Sequence, residues 1–102
     1  DKQTMARYTP NQSVLIRCEI QAGPFPTESL VTFQTADGPV SGFVRAENVR
    51  KLNDGEGYVS AIVKEVSPET VTVVVEGSFF TTNGLAYLNR TWADSHVSTA
   101  HA

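Results

Sequence analysis

The sequence predicts an all-β fold, a small antiparallel barrel or sandwich of about six strands with one short helical turn. Three observations carry this. Short runs with an apolar residue at every second position recur along the chain, the mark of half-buried strands. Clusters of Gly, Pro, Asn and Asp separate those runs at roughly eight to twelve residues, the spacing of β-sandwiches and barrels. No stretch sustains the 3.6-residue apolar period of a long amphipathic helix.

The chain has 102 residues, 40% of them hydrophobic and 19% charged, which suits one domain with its own core. The expected division is a flexible segment over 1–10, a single β-barrel domain over 11–93 and a flexible tail over 94–102. Met5-Ala6 reads as a translation start, which would make 1–4 added residues.

The first strand is the clearest. Over Ser13–Ile20, Val14, Ile16, Cys18 and Ile20 share one face, and Leu15, Arg17 and Glu19 the other. A loop follows, QAGPFPTE, punctuated by Gly23, Pro24 and Pro26. Phe25, between the two prolines, is read first as a lid folded back on the core. The second reading is an exposed aromatic on a stiff loop, the kind of residue that anchors a partner.

The rest of the chain is organised around Leu30 to Val49. Asp37-Gly38 between two apolar runs is a strong hairpin signal, because both residues tolerate positive φ. Pro39 lacks an N–H, which favours a four-residue loop, Ala36 to Pro39, closing on Thr35 and Val40. That register sets Phe33 opposite Gly42 and Val31 opposite Val44, with Thr35, Val40, Phe33, Gly42, Val31 and Val44 on the core face. Leu30, Thr32, Gln34, Ser41, Phe43 and Arg45 form the other face, open to solvent or a partner.

Ala46–Val49 reads as a helical turn that returns Val49 to the core, and RKLNDGEG (50–57) as a charged, solvated loop. Tyr58–Val66 is a strand with Val59, Ala61 and Val63 on one face. Ser67-Pro68-Glu69-Thr70 is a turn, and Thr70–Glu76 is dense in β-branched residues, hence strand. Asn83-Gly84 reads as a second hairpin turn, setting Phe79 opposite Leu88 and Phe80 opposite Tyr87. Leu85–Trp92 fits two patterns, since Leu85, Leu88 and Trp92 also form a helical stripe; the Asn-Gly turn favours strand.

The outline of Gln12–Val75 resembles SH3-like small barrels: a proline-containing loop after the first strand, a central hairpin, then a helical corner. The acidic and aromatic motifs with which SH3 domains hold proline-rich ligands are missing, so that activity does not carry over.

Chemistry is sparse. The formal charge of −3 and pI of 5.2 disfavour a nucleic-acid binder, which usually carries a basic patch. No apolar run reaches the ~18–20 residues of a membrane span, so no membrane association is expected. No signal-peptide pattern opens the chain, and the single cysteine, Cys18, fits a cytoplasmic setting while ruling out an intrachain disulfide. Cys18 lies on the apolar face and reads as core packing rather than a nucleophile. Glu19 is expected to pair with Arg17. Asp94-Ser95-His96 are neighbours in sequence, which does not make a triad. No metal site, cofactor or catalytic residue is expected.

The leading expectation is therefore a non-enzymatic binding or assembly module. Its contact residues are Leu30, Phe43, Arg45 and Phe25, and its partner a protein or a second copy of itself. The first alternative is a small-molecule binder or enzyme with a pocket between subunits or at a barrel mouth, using Arg17, Arg45, Tyr58 or Tyr87. The second is a single-stranded nucleic-acid binder that stacks bases on its aromatics.

Overall fold

A computed structural model describes residues 8–76, 78–79 and 84–99, with backbone alone at 78 and 79. The chain is all-β, an antiparallel sheet curled into a half-barrel. Its strands are β1 (Ser13–Ala22), β2 (Glu28–Thr35), β3 (Gly38–Arg45), β4 (Val49–Asn53), β5 (Glu56–Val66), β6 (Thr70–Val74), β7 (Ser78–Phe79), β8 (Leu85–Asn89) and β9 (Val97–Thr99). A 3-10 turn, Ala46–Asn48, precedes β4, and a short helix, α1 (Arg90–His96), joins β8 to β9. Along the sheet the order is β7-β3-β2-β1-β5-β6-β8, with β4 added to β5 and β9 to β1.

Alternation in β1 and β5 builds the centre. Val14, Ile16, Cys18 and Ile20 are buried, as are Val59, Ala61 and Val63. The two strands pair from Ser13↔Ile62 to Glu19↔Glu56. Each then shares its second edge between two partners. β1 gives Glu19–Ala22 to β2 and Val14–Ile16 to β9. β5 gives its first residues to β4 and Ile62–Val66 to β6, with a register shift between Val63 and Glu65.

A strand that must meet two neighbours on one edge has to bend, and the sheet coils accordingly. The sheet path begins at β7 and ends at β8, yet Phe79 and Leu85 are six residues apart in the chain. A link that short spans at most about 20 Å, so the two ends of the sheet face each other. The Ala36 N–H, at the tip of the β2–β3 hairpin, bridges the seam by donating to the Tyr87 carbonyl at 2.7 Å.

The central hairpin keeps the expected core face but not the expected register. Thr35 pairs with Gly38, Phe33 with Val40, Val31 with Gly42 and Ser29 with Val44. The turn is the two residues Ala36-Asp37, and Gly38 takes a φ of 109° that a side chain would resist. Thr35 closes it, its hydroxyl donating to the Gly38 carbonyl and accepting from the Asp37 N–H. Pro39 is accommodated because, among the described residues, the outer edge of β3 meets β7 at Gly42 and Phe43 and not at Pro39. The difference is two residues, so every side chain stays on its predicted face.

Four other segments depart from expectation. Residues 50–57 are a hairpin rather than a loop: β4 turns at Asp54-Gly55 into β5, with Gly55 at φ 84°. Leu85–Trp92 divides, Leu85–Asn89 pairing with β6 from Val74↔Leu85 to Thr70↔Asn89, and Arg90 opening α1. Phe79 accordingly lies opposite Gly42 on β3, not Leu88; the expected Phe80–Tyr87 pair lies outside the described residues. Residues 94–99, expected as tail, end α1 and form β9, whose Val97 is buried in the core. Residues 8–10 are not frayed either, since Tyr8 is 3% exposed. Asn11 and Gln12 extend the ladder by exchanging backbone hydrogen bonds with Val63.

Arg90 explains why the chain on either side of the barrel holds. It is 5% exposed, donates to the Ser67 carbonyl at 2.9 Å, and lies under the Tyr8 ring at 5.1 Å. Its Nε is 3.6 Å from Asp94, which also accepts from the Tyr8 hydroxyl at 3.4 Å. One guanidinium thus ties the first described residue, the β5–β6 turn and α1 together. No helix among the described residues is long and apolar enough to cross a membrane.

Gly57 marks the tightest approach. A Cβ there would meet the Arg50 carbonyl, the Lys51 Cα and the Ile20 side chain, where β1, β4 and β5 converge. Gly57→Ala should therefore lower stability by about 1–3 kcal/mol, the usual effect of overpacking, read as a lower urea midpoint with an unchanged m-value.

Candidate functional site

Two surface regions combine exposed chemistry with a defined backbone. The first is the end of the β2–β3 hairpin together with the β1–β2 loop. Glu28↔Arg45 and Leu30↔Phe43 are cross-strand pairs, so Leu30, Phe43 and Arg45 share one face. Leu30 and Phe43 are half-buried and Arg45 is exposed. On the same face the Thr32 and Ser41 hydroxyls hydrogen-bond at 2.7 Å.

Phe25 stands just beyond this pair of strands. Its ring is 62% exposed, so it is no lid on the core. The reason lies in the turn it begins: the Glu28 N–H donates to the Phe25 carbonyl at 3.0 Å, with Pro26 second in the four-residue turn, where its fixed φ is favoured. Gly23 donates to the Glu28 carbonyl, and Ala46 to the Thr27 carbonyl at 2.8 Å. At Gly23 a Cβ would lie 2.8 Å from that Glu28 oxygen, so the loop closes only over a glycine. A groove of about 550 Å³ runs beside Phe25, lined also by Ala22, Pro24, Pro26, Val49 and Lys51.

The second region is a polar cleft of about 300 Å³ lined by Arg17, Glu56, Tyr58, Ser95, His96 and Ser98. Strand register assembles it. Arg17 is directly opposite Tyr58 on β5, and on its other edge β1 pairs Ile16 with Val97 and Leu15 with Ser98. The next step along that ladder carries Arg17 past His96, the last residue of α1. Arg17 binds Glu56 at 2.9 Å and lies 5.8 Å from the Tyr58 ring centroid. The hydrogen bond that the guanidinium donates to Glu56 is the main reason it is held above its ordinary value, partly offset by desolvation.

His96 is oriented from behind. Its ring stacks on Trp92, four residues earlier in α1, with centroids 4.4 Å apart and planes 3° from parallel. Nδ1 is 2.8 Å from the Trp92 carbonyl oxygen. A carbonyl only accepts, so Nδ1 carries the hydrogen and Nε2 is the ring's remaining polar atom.

Of the pocket residues expected from sequence, Arg17 and Tyr58 come together. Arg45 is at the far end of β3 and Tyr87 on β8, and neither lines this cleft. Glu19 is not Arg17's partner: Glu56, brought alongside by the β1–β5 ladder, takes that place. Asp94 and His96 point to different neighbours, Asp94 to Arg90 and Tyr8, His96 to Trp92, so they form no relay. The sequence reading missed His96 as a cleft residue. The available signal was the four-residue spacing of Trp92 and His96, which stacks two rings on a helix.

Comparison of the chain with protein-family models, with curated proteins and with solved structures returns no match in any of the three.

Cys18 is buried, and that burial pushes its thiol up from 9.0 to about 12, against a weaker downward pull from Arg17. A thiol held protonated is a poor nucleophile. Above pH 9.0 the unfolded chain loses this proton while the native state keeps it, so the unfolded state binds fewer protons and stability falls. The thiol's contribution should be whole below pH 9.0 and shrink as pH rises toward 12. Urea titrations of wild type and Cys18→Ala should accordingly show a stability difference that changes over that window and is flat below it.

Proposed function

We propose that the protein is a non-enzymatic binding module whose contact surface is the end of the β2–β3 hairpin with the β1–β2 loop. Phe25 is its anchor. The observation that supports this is an aromatic ring 62% exposed on a loop tied by three backbone hydrogen bonds and flanked by two prolines. A side chain held ready in this way loses little freedom on binding, which is where preorganised surfaces gain affinity.

The surroundings fit the role. The Leu30–Phe43 pair adds half-buried apolar area beside it, and Arg45 and Lys51 supply charge at the rim. Aromatic and Arg residues are the types enriched at interface hot spots. The occupant is a protein surface that sets an apolar side chain into the groove between Phe25 and Val49; when that surface belongs to a second copy, the module self-associates. A cytoplasmic setting and an SH3-like outline are part of the proposal, the latter as shape alone, with no proline-rich ligand implied. Stacking of single-stranded nucleic acid has less behind it, given the net charge of −3.

Light scattering across a concentration series, together with capture on immobilised protein, tests the proposal. Phe25→Asp should remove self-association or capture, with a loss of about 2 kcal/mol or more for an anchor residue, while Tyr87→Asp, another exposed aromatic, should not. If Phe25→Asp and Phe43→Asp both fold and leave mass and capture unchanged, the proposal is wrong.

A further inference from the structure

The cleft beside α1 has a chemistry of its own, independent of the partner-binding reading. Its rim offers hydrogen-bond donors from four elements: the Arg17 guanidinium on β1, the Tyr58 hydroxyl on β5, and the Ser95 and Ser98 hydroxyls on α1 and β9. No aliphatic side chain among the described residues lines it. The one carboxylate among the described lining residues, Glu56, is half-exposed and already faces Arg17.

Arg17 is not satisfied by that pair. A guanidinium carries five N–H donors in a planar fork. Glu56 takes one, through Nη2, and the buried Nε has no hydrogen-bond partner among the described residues. Unmet donors removed from water are costly and rare in native proteins. An exposed ion pair such as Arg17–Glu56 contributes little by itself, so it is a weak competitor for the fork. Stacking on Trp92 and the Nδ1 bond fix the His96 ring before any ligand arrives.

We propose that this cleft binds a small oxyanion, a phosphate or carboxylate group on a compact molecule. Arg17 supplies the charge and the planar fork that such oxygens match. Tyr58, Ser95 and Ser98 donate to the remaining oxygens, and the His96 ring, its Nδ1–H already given to the Trp92 carbonyl, walls the cleft on the α1 side. A volume of about 300 Å³ admits the anionic group and a small body attached to it, at the lower limit of small-molecule sites.

Titration of the full chain with inorganic phosphate, and separately with acetate, followed by amide chemical shifts at constant ionic strength, tests this. Saturable shifts centred on Tyr58, Ser95, His96 and Ser98 are expected for at least one anion. Phosphate alone would identify a phosphoryl ligand, and acetate equally well a carboxylate. Arg17→Gln should weaken binding by about tenfold or more, the effect of losing a charge-assisted bond, whereas Arg45→Gln should leave it unchanged. Ser98→Asp, at an exposed position, sets a like charge at the cleft and should abolish binding in a chain whose spectrum otherwise stays native. Shifts that never saturate, equal loss in Arg45→Gln, or binding that survives Ser98→Asp would each overturn the proposal.

Discussion

The structure depends on how two strands satisfy their backbone. β1 and β5 lie against each other along seven residue pairs, and every N–H and C=O on their far edges also needs a partner if buried. Neither finds one strand long enough. β1 is completed by β2 and β9, β5 by β4 and β6. This division of edges makes the sheet bend, and the bend encloses Val14, Ile16, Val59 and Val63, all fully buried. Gly57 sits where the crowding is worst because nothing larger fits under Arg50 and Ile20.

Much of this was legible where the signal is local. Alternation in β1 and β5 named the buried residues correctly, because a period of two admits one inward face. The β2–β3 hairpin was legible in its faces but not its register. Pro39 argued for a longer loop, on the assumption that its nitrogen was needed in the ladder. What decided the matter was which edge of β3 has a neighbour at that point, a fact about tertiary structure. The same holds for RKLNDGEG: a strand that keeps almost every side chain in solvent has no hydrophobic period to read, and β4 exists because β5 offers an edge. Residues 94–99 were hidden differently. Val97 is the sole buried residue of β9, too little for a pattern.

Site residues were legible to the extent that their role is local. Phe25 between prolines is conspicuous, and its choice between lid and exposed ring turned on one backbone bond, Glu28 to Phe25. Leu30, Phe43 and Arg45 follow from parity along two strands. The cleft around Arg17 was only half visible. Arg17 and Tyr58 were candidates by residue type, but Glu56, Ser98 and His96 reach them through β1 pairing with strands some forty and eighty positions away in the chain. No spacing rule spans such distances, so what joins these residues is topology.

The pairing of Val14 with Thr99 has a consequence for how the chain comes to be folded. Protein synthesis delivers β9 some eighty residues after β1. Until Val97 to Thr99 emerge, one edge of Val14–Ile16 lacks its strand, and an open apolar edge invites pairing with the wrong chain. β2 protects the other end of β1 within a few residues of synthesis, so the exposed part is short. Folding can begin at the β1–β2 and β2–β3 contacts on the ribosome, but it is finished only once β9 has emerged and Val97–Thr99 lie alongside Val14–Ile16. That proximity also makes the barrel a natural candidate for circular permutation, with its ends joined and a new start opened in a solvent-facing turn.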